Sequence, residues 1–133
     1  MSNTLSVPTV AIGSSAGGLK ALQELFAALP PDLGAAYVVI SHLDPDHPSK
    51  LVPILARRTA MPVAEVEAAT PLEADHVYVI GPNRRLALTD NGIVALPFDE
   101  PRGQRAPIDL FFRSLAQHGG GFAVVLSGSG SDG

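Results

Sequence analysis

Apolar positions in this chain follow two different periods, and the two alternate. Thr9–Gly13, Ala35–Ser41 and Phe122–Leu126 are short runs that are apolar almost throughout, not at every second position. Strands of that kind are buried on both faces, as in a parallel sheet covered by helices on either side. From Gly18 onward, Leu19, Leu22, Leu25, Phe26 and Leu29 recur at helical spacing until Pro30-Pro31 stops them. After the second run, the polar stretch His42–Pro48 leads to Ser49, which suits the N-cap of a helix through Arg58 with Leu51, Ile54 and Leu55 inward. Pro107 opens a further helix, with Asp109 in its first turn and Ile108, Leu110–Phe112 and Leu115 as its apolar residues. Gly119-Gly120-Gly121 ends it.

The middle of the chain has a different character. Val63–Val66 and His76–Ile80 read as short strands, the second ending at Gly81-Pro82. Arg85–Thr89 and Ile93–Leu96 flank Asp90-Asn91-Gly92, and Asn-Gly between two apolar runs is a strong short-range hairpin signal. Pro97–Pro107 has no periodicity and reads as a loop. These elements predict an α/β fold: three layers around a mostly parallel, doubly wound sheet with an inserted β-hairpin. There is no internal repeat and no linker, so 133 residues make at most one domain.

Composition narrows the function. Nine Lys plus Arg against thirteen Asp plus Glu leave a net charge of −4, which argues against a nucleic-acid binder, normally marked by a basic stripe. The absence of cysteine removes disulfides, thiolate zinc sites and a cysteine nucleophile. The longest apolar runs fall far short of the ~20 residues that span a bilayer. Met1-Ser2-Asn3-Thr4 lacks the basic flank of a secretory signal. The expectation is a cytoplasmic protein without membrane insertion.

Three segments carry candidate chemistry. Gly13-Ser14-Ser15-Ala16-Gly17 matches G-x-S-x-G at a strand-to-helix turn, where a serine nucleophile is held beyond the strand's carboxyl end. Its small neighbours would leave room for a substrate, and the helix that follows offers unpaired N–H groups to an oxyanion. The plain alternative is a close-packed glycine turn. A phosphate cradle would need G-x-G-x-x-G or G-K-[ST], and neither is present. His42 follows the second strand at the same edge if the strands are parallel, where a neutral imidazole could take the Ser15 proton. The plain alternative is a surface loop in which His42 is merely polar and Asp44 and Asp46 shape turns. His42, Asp46 and His47 also resemble part of a metallohydrolase signature, with Asp44 where its second histidine should stand. Asp132 follows the last strand in Ser127-Gly128-Ser129-Gly130-Ser131-Asp132-Gly133, where a carboxylate could fix the imidazole tautomer. Its plain alternative is a flexible Gly/Ser loop. His76, Arg57-Arg58 and Arg84-Arg85 read as structural or solvated positions.

In order along the chain, Ile12–Gly18, Val38–Leu43, His76–Pro82, Pro107–Leu115 and Val125–Gly133 together resemble the CheB-type protein-glutamate methylesterase domain. The resemblance runs from Val10 to the end. It implies a Ser–His–Asp triad with Ser15 as nucleophile, His42 as base and Asp132 as its orienter. By the same resemblance, backbone N–H groups near Ala16 and Ser129 would hold the oxyanion. The implied substrate is a γ-glutamyl methyl ester on a methyl-accepting chemoreceptor, with receptor glutamine as a second target of deamidation. No cofactor is implied.

The family's chemotaxis members usually carry an N-terminal receiver domain, whereas here the first strand begins within ten residues of Met1. The wording Leu43–Pro48 is more similar to the esterase module of multidomain proteins that also hold CheR-like methyltransferase or kinase modules. Family members continue past the Ser-Asp-Gly element. The expectation is therefore most of one domain, 1–133, lacking its C-terminal part and unstable or nearly inactive when made alone. A non-catalytic interaction module of the same fold remains the competing reading.

Overall fold

The computed structural model describes residues 7–14, 18–41, 50–90, 92–99, 106–119 and 121–126. Three helices lie among the described residues: α1 (Leu19–Ala28), α2 (Leu51–Ala56) and α3 (Pro107–Gln117). Five strands form one sheet: β1 (Thr9–Ser14), β2 (Ala36–Ser41), β3 (Val63–Glu65), β5 (His76–Val79) and β8 (Phe122–Leu126). Their spatial order is β3-β5-β2-β1-β8, and every neighbouring pair is parallel. A second, antiparallel sheet holds β4 (Thr70–Pro71), β6 (Arg85–Leu88) and β7 (Gly92–Leu96) in the order β4-β7-β6.

Both faces of the sheet are covered at β1, β2 and β5, as the continuous apolar runs required. β8, read as buried from the run Phe122–Leu126, is instead largely exposed. It is an outer strand paired among the described residues with β1 alone, and Phe122 and Val125 are 63% and 47% exposed. Ala11, Val38, Ile40, Tyr78 and Ile80 point to one side and pack with Phe111 and Leu115 of α3 and with Leu86, Leu88 and Ile93 of the small sheet. Ile12, Tyr37, Val39, Val77 and Val79 point to the other and meet Leu22 and Phe26 of α1 and Leu51 and Leu55 of α2. This is the period-2 alternation of side chains across a strand, with apolar residues on both faces. The three-layer α/β architecture with a doubly wound sheet is what the pattern predicted.

Several details differ. The hairpin is present, with Leu88 opposite Ile93 and the Thr89 amide donating to the Gly92 carbonyl at 2.8 Å, but Thr70–Pro71 pairs with β7 and makes it a three-stranded sheet. Two residues, one a proline, give no periodic signal, which is why β4 is invisible in sequence. The second helix is only six residues long and its N-cap position is Lys50, without a side-chain cap; Ser49 lies outside the described residues. Leu19 opens α1 at 40% exposure and does not join the inward face. The strands read as Val63–Val66, His76–Ile80 and Arg85–Thr89 each stop one residue sooner. The third helix ends through Gly119, whose φ of +94 is the left-handed turn that glycine adopts without strain.

Candidate active site

β1 lies between β2 and β8, and its register defines the carboxyl edge of the sheet. Ser14, the last residue of β1, is paired with Ser41, the last of β2, and with Leu126, the last of β8. Three adjacent parallel strands therefore end level with one another, at spacings of about 4.8 Å. The helix after β1 covers one face of the sheet and the helix before β8 covers the other. The gap between β1 and β8 is thus the point where the winding reverses, and open α/β sheets bind their ligands outside the strand ends at that point.

All five candidate site residues, Ser15, Ala16, His42, Ser129 and Asp132, lie outside the described residues. What the structure supplies is the residues that lead to them. Ser15 follows Ser14 and His42 follows Ser41, so two of the candidates leave from one register pair. Asp132 comes six positions after Leu126, on the strand flanking β1 from the other side. The metal alternative rests on His42, Asp46 and His47, which also lie outside the described residues.

Two helix amino termini frame this edge. α1 begins one residue after Gly18 and, among the described residues, has neither a side-chain cap nor an acidic group in its first turn. Its first N–H groups and positive dipole end lie at the carboxyl edge of the sheet, where such an end favours negative charge. α3 runs antiparallel to β1. Its Ile108 lies over Gly13 near the strand's end, and its Leu115 lies by Gly121 at the start of β8. The α3 amino end therefore also stands at the carboxyl edge, on the opposite face from α1.

At Gly13 the close-packed alternative holds rather than room for a substrate, and the partner that packs there was not named by the sequence. In the structure a Cβ on Gly13 would lie 2.7 Å from Cγ2 of Ile108, so the space belongs to α3. The available signal was the pair Ala11 and Gly13, alternate small residues on one face of an otherwise bulky strand.

The described histidines have structural partners. His76 Nδ1 lies 2.9 Å from the Ala74 carbonyl, its ring stacks on Tyr78, and Nε2 is 3.8 Å from Glu73. His118 Nδ1 lies 3.0 Å from the Ser114 carbonyl. Arg58 joins the two helices of its layer through Gln23 at 3.0 Å, and Arg57 and Arg84 are exposed. Among the described residues no helix is long and apolar enough to cross a membrane.

The sequence profile of the CheB methylesterase matches residues 10–133. The chain belongs to the CheB methylesterase family. It is 27% identical to the CheB methylesterase catalytic domain of Thermotoga maritima, whose crystal structure it matches with a TM-score of 0.84 over 97% of this chain and 71% of that one. It is 38% identical over 127 residues to a protein-glutamate methylesterase/protein-glutamine glutaminase of Cupriavidus metallidurans. A protein of the same name from Pseudomonas fluorescens is 36% identical over 128 residues. Each alignment covers 93% of this chain and 38% of the relative, so the chain spans little more than a third of the length of these CheB-family proteins.

Proposed function

We propose that this chain hydrolyses glutamate γ-methyl esters on methyl-accepting chemoreceptors, and by the same chemistry deamidates receptor glutamine. The observation that carries the reading is the level ending of β2, β1 and β8, with Ser14 paired to both Ser41 and Leu126, in a chain of the CheB methylesterase family. Ser15 Oγ attacks the ester carbonyl carbon as His42 takes its proton. The tetrahedral oxyanion is held by backbone N–H groups at Ala16 and Ser129, helped by the amino end of α1. The C–O bond to methoxide breaks, and His42 returns the proton so that methanol leaves. Water, deprotonated by His42, then opens the acyl-enzyme to glutamate and free Ser15. Asp132 holds the imidazole in the tautomer that serves both steps and stabilises its charged form. The chemistry needs no cofactor. The setting is cytoplasmic signal adaptation, with a CheR-like methyltransferase as the enzyme that makes the substrate.

The test is methanol release from a methylated receptor-helix peptide, alongside labelling by a serine-directed phosphonate located by mass spectrometry, on the protein at its natural length. Labelling at Ser15 that is lost in Ser15→Ala, together with loss of methanol release in His42→Ala, is the expected result. Peptide binding with no methanol release from the parent protein would instead make this a non-catalytic module.

A further inference from the structure

Gly13 is buried, and its φ lies outside the left-handed region, so backbone freedom does not explain a glycine there. Space does. A Cβ at this position would lie 2.7 Å from Ile108 Cγ2 and 3.4 Å from both Cγ1 and Cδ1. Ordinary carbon–carbon contact is ~3.5–4.0 Å, so the α3 side chain already rests on the backbone of β1. The touching atom is not the end of a flexible chain. Cγ2 is bonded directly to Cβ of a β-branched residue in the first turn of a helix, where one χ1 rotamer dominates. It cannot retract unless the helix itself moves.

The helix is held from moving along the rest of its length. Phe111 and Leu115 sit in the core with Ala11, and Ser114 Oγ accepts the Leu88 amide at 2.8 Å. Leu115 closes on Gly121, before β8. α3 is thus a stiff bar anchored on β6 and the core, and its amino end bears on β1 two residues before Ser15. At that level Gly13 is paired with Ile40 of β2 and Val125 of β8.

We propose that Ile108 is a positioning residue for the nucleophile: its contact with Gly13 sets the height at which β1 delivers Ser15 relative to His42. The inference rests on the reading of Ser15 as nucleophile given above. It assigns Gly13 and Ile108 as a matched pair in which a side chain on one must be offset by a smaller one on the other. A displacement of about 1 Å between reacting groups costs on the order of 100-fold in rate.

The test uses Gly13→Ala, Ile108→Ala, the double variant and Ser15→Ala, in the protein at its natural length. It measures kcat and KM for methanol release, with urea unfolding to confirm folding. Gly13→Ala is expected to lower kcat by about 100-fold with KM little changed, and the double variant to recover roughly tenfold or more of that loss. Ile108→Ala alone, which removes the stop without crowding, is expected to lower kcat by about tenfold. A folded Gly13→Ala with the parent's kcat overturns the proposal, as does a folded double variant no faster than Gly13→Ala. If Gly13→Ala does not fold, Ile108→Ala decides alone, and a folded protein with unchanged kcat overturns it. Ser15→Ala separates the two readings. If it is inactive while Gly13→Ala is normal, only the positioning role fails. If it turns over the ester like the parent, the nucleophile assignment fails and the positioning role with it.

Discussion

The hydroxyl of Ser114, on the buried side of α3, accepts the Leu88 backbone amide at 2.8 Å and so ties the helix to the small antiparallel sheet. Leu88 is the last residue of β6, and its amide is buried with the hydroxyl. Replacing Ser114 by Ala would strand that N–H away from water. Ser114→Ala is expected to lose about 1–3 kcal/mol of folding stability. A urea or guanidinium titration checks this, and an unchanged midpoint would mean that the amide finds another acceptor.

Tyr78 makes a second tie. Its hydroxyl donates to the Pro71 carbonyl at 3.0 Å and accepts the Glu73 amide at 2.7 Å, fastening the β4 segment to β5. Burial pushes the phenol above its ordinary value of 10.0; the Glu73 amide opposes this and the Glu73 charge adds to it. Because the folded-state value is raised, the stabilisation is complete below pH 10.0 and is lost as pH rises from there through the folded value. Tyr78→Phe is therefore expected to be weaker than the parent at pH 7, by about 1 kcal/mol for each hydrogen bond removed, with a shallower fall in stability above pH 10. Melting temperatures measured from pH 7 to 11 for both proteins test the crossover.

At the amino edge of the sheet, Asp75 accepts the Gly34 amide at 2.7 Å while its own amide donates to the Ala35 carbonyl at 2.7 Å. Asp75 holds φ at +63, which L residues other than Asn and Asp seldom adopt. Asp75→Ala loses the carboxylate bond and keeps the strained backbone, and is expected to cost about 2–4 kcal/mol. Asp75→Gly relieves the backbone and is expected to fall between Ala and the parent. A Gly variant less stable than Ala in the same denaturation series would contradict this account.

Phe26 of α1 is fully buried and meets Tyr37 of β2 edge to face, with ring centroids 6.0 Å apart. Phe26→Ala is expected to cost about 3–5 kcal/mol. A double-mutant cycle with Tyr37→Ala is expected to show about 0.5–1.5 kcal/mol of coupling, and strict additivity would assign the whole effect to burial.

Local patterning made most of the architecture legible. Continuous apolar runs identified β1 and β2 as strands covered on both faces and β8 as a strand, though β8 is largely exposed, and Asp90-Asn91-Gly92 identified the β6–β7 hairpin. These signals are short-range, so a reader of the chain has them in full. The candidate site was legible as three segments, each at the end of a predicted strand. That β1 stands between β2 and β8, with Ser14 level with both Ser41 and Leu126, is a matter of strand order across more than a hundred residues. No local period records it.

By itself, then, the sequence determined the two-faced parallel strands, the helices between them and the three segments that carry the candidate chemistry. The tertiary structure alone decided which strands are neighbours, that Thr70–Pro71 joins the hairpin, and that Gly13 is small because Ile108 occupies its side-chain space. The physical reason is the same in each case. Periodicity reports which residues are suited to burial, whereas what covers each of them depends on how distant segments pack to fill the core without voids.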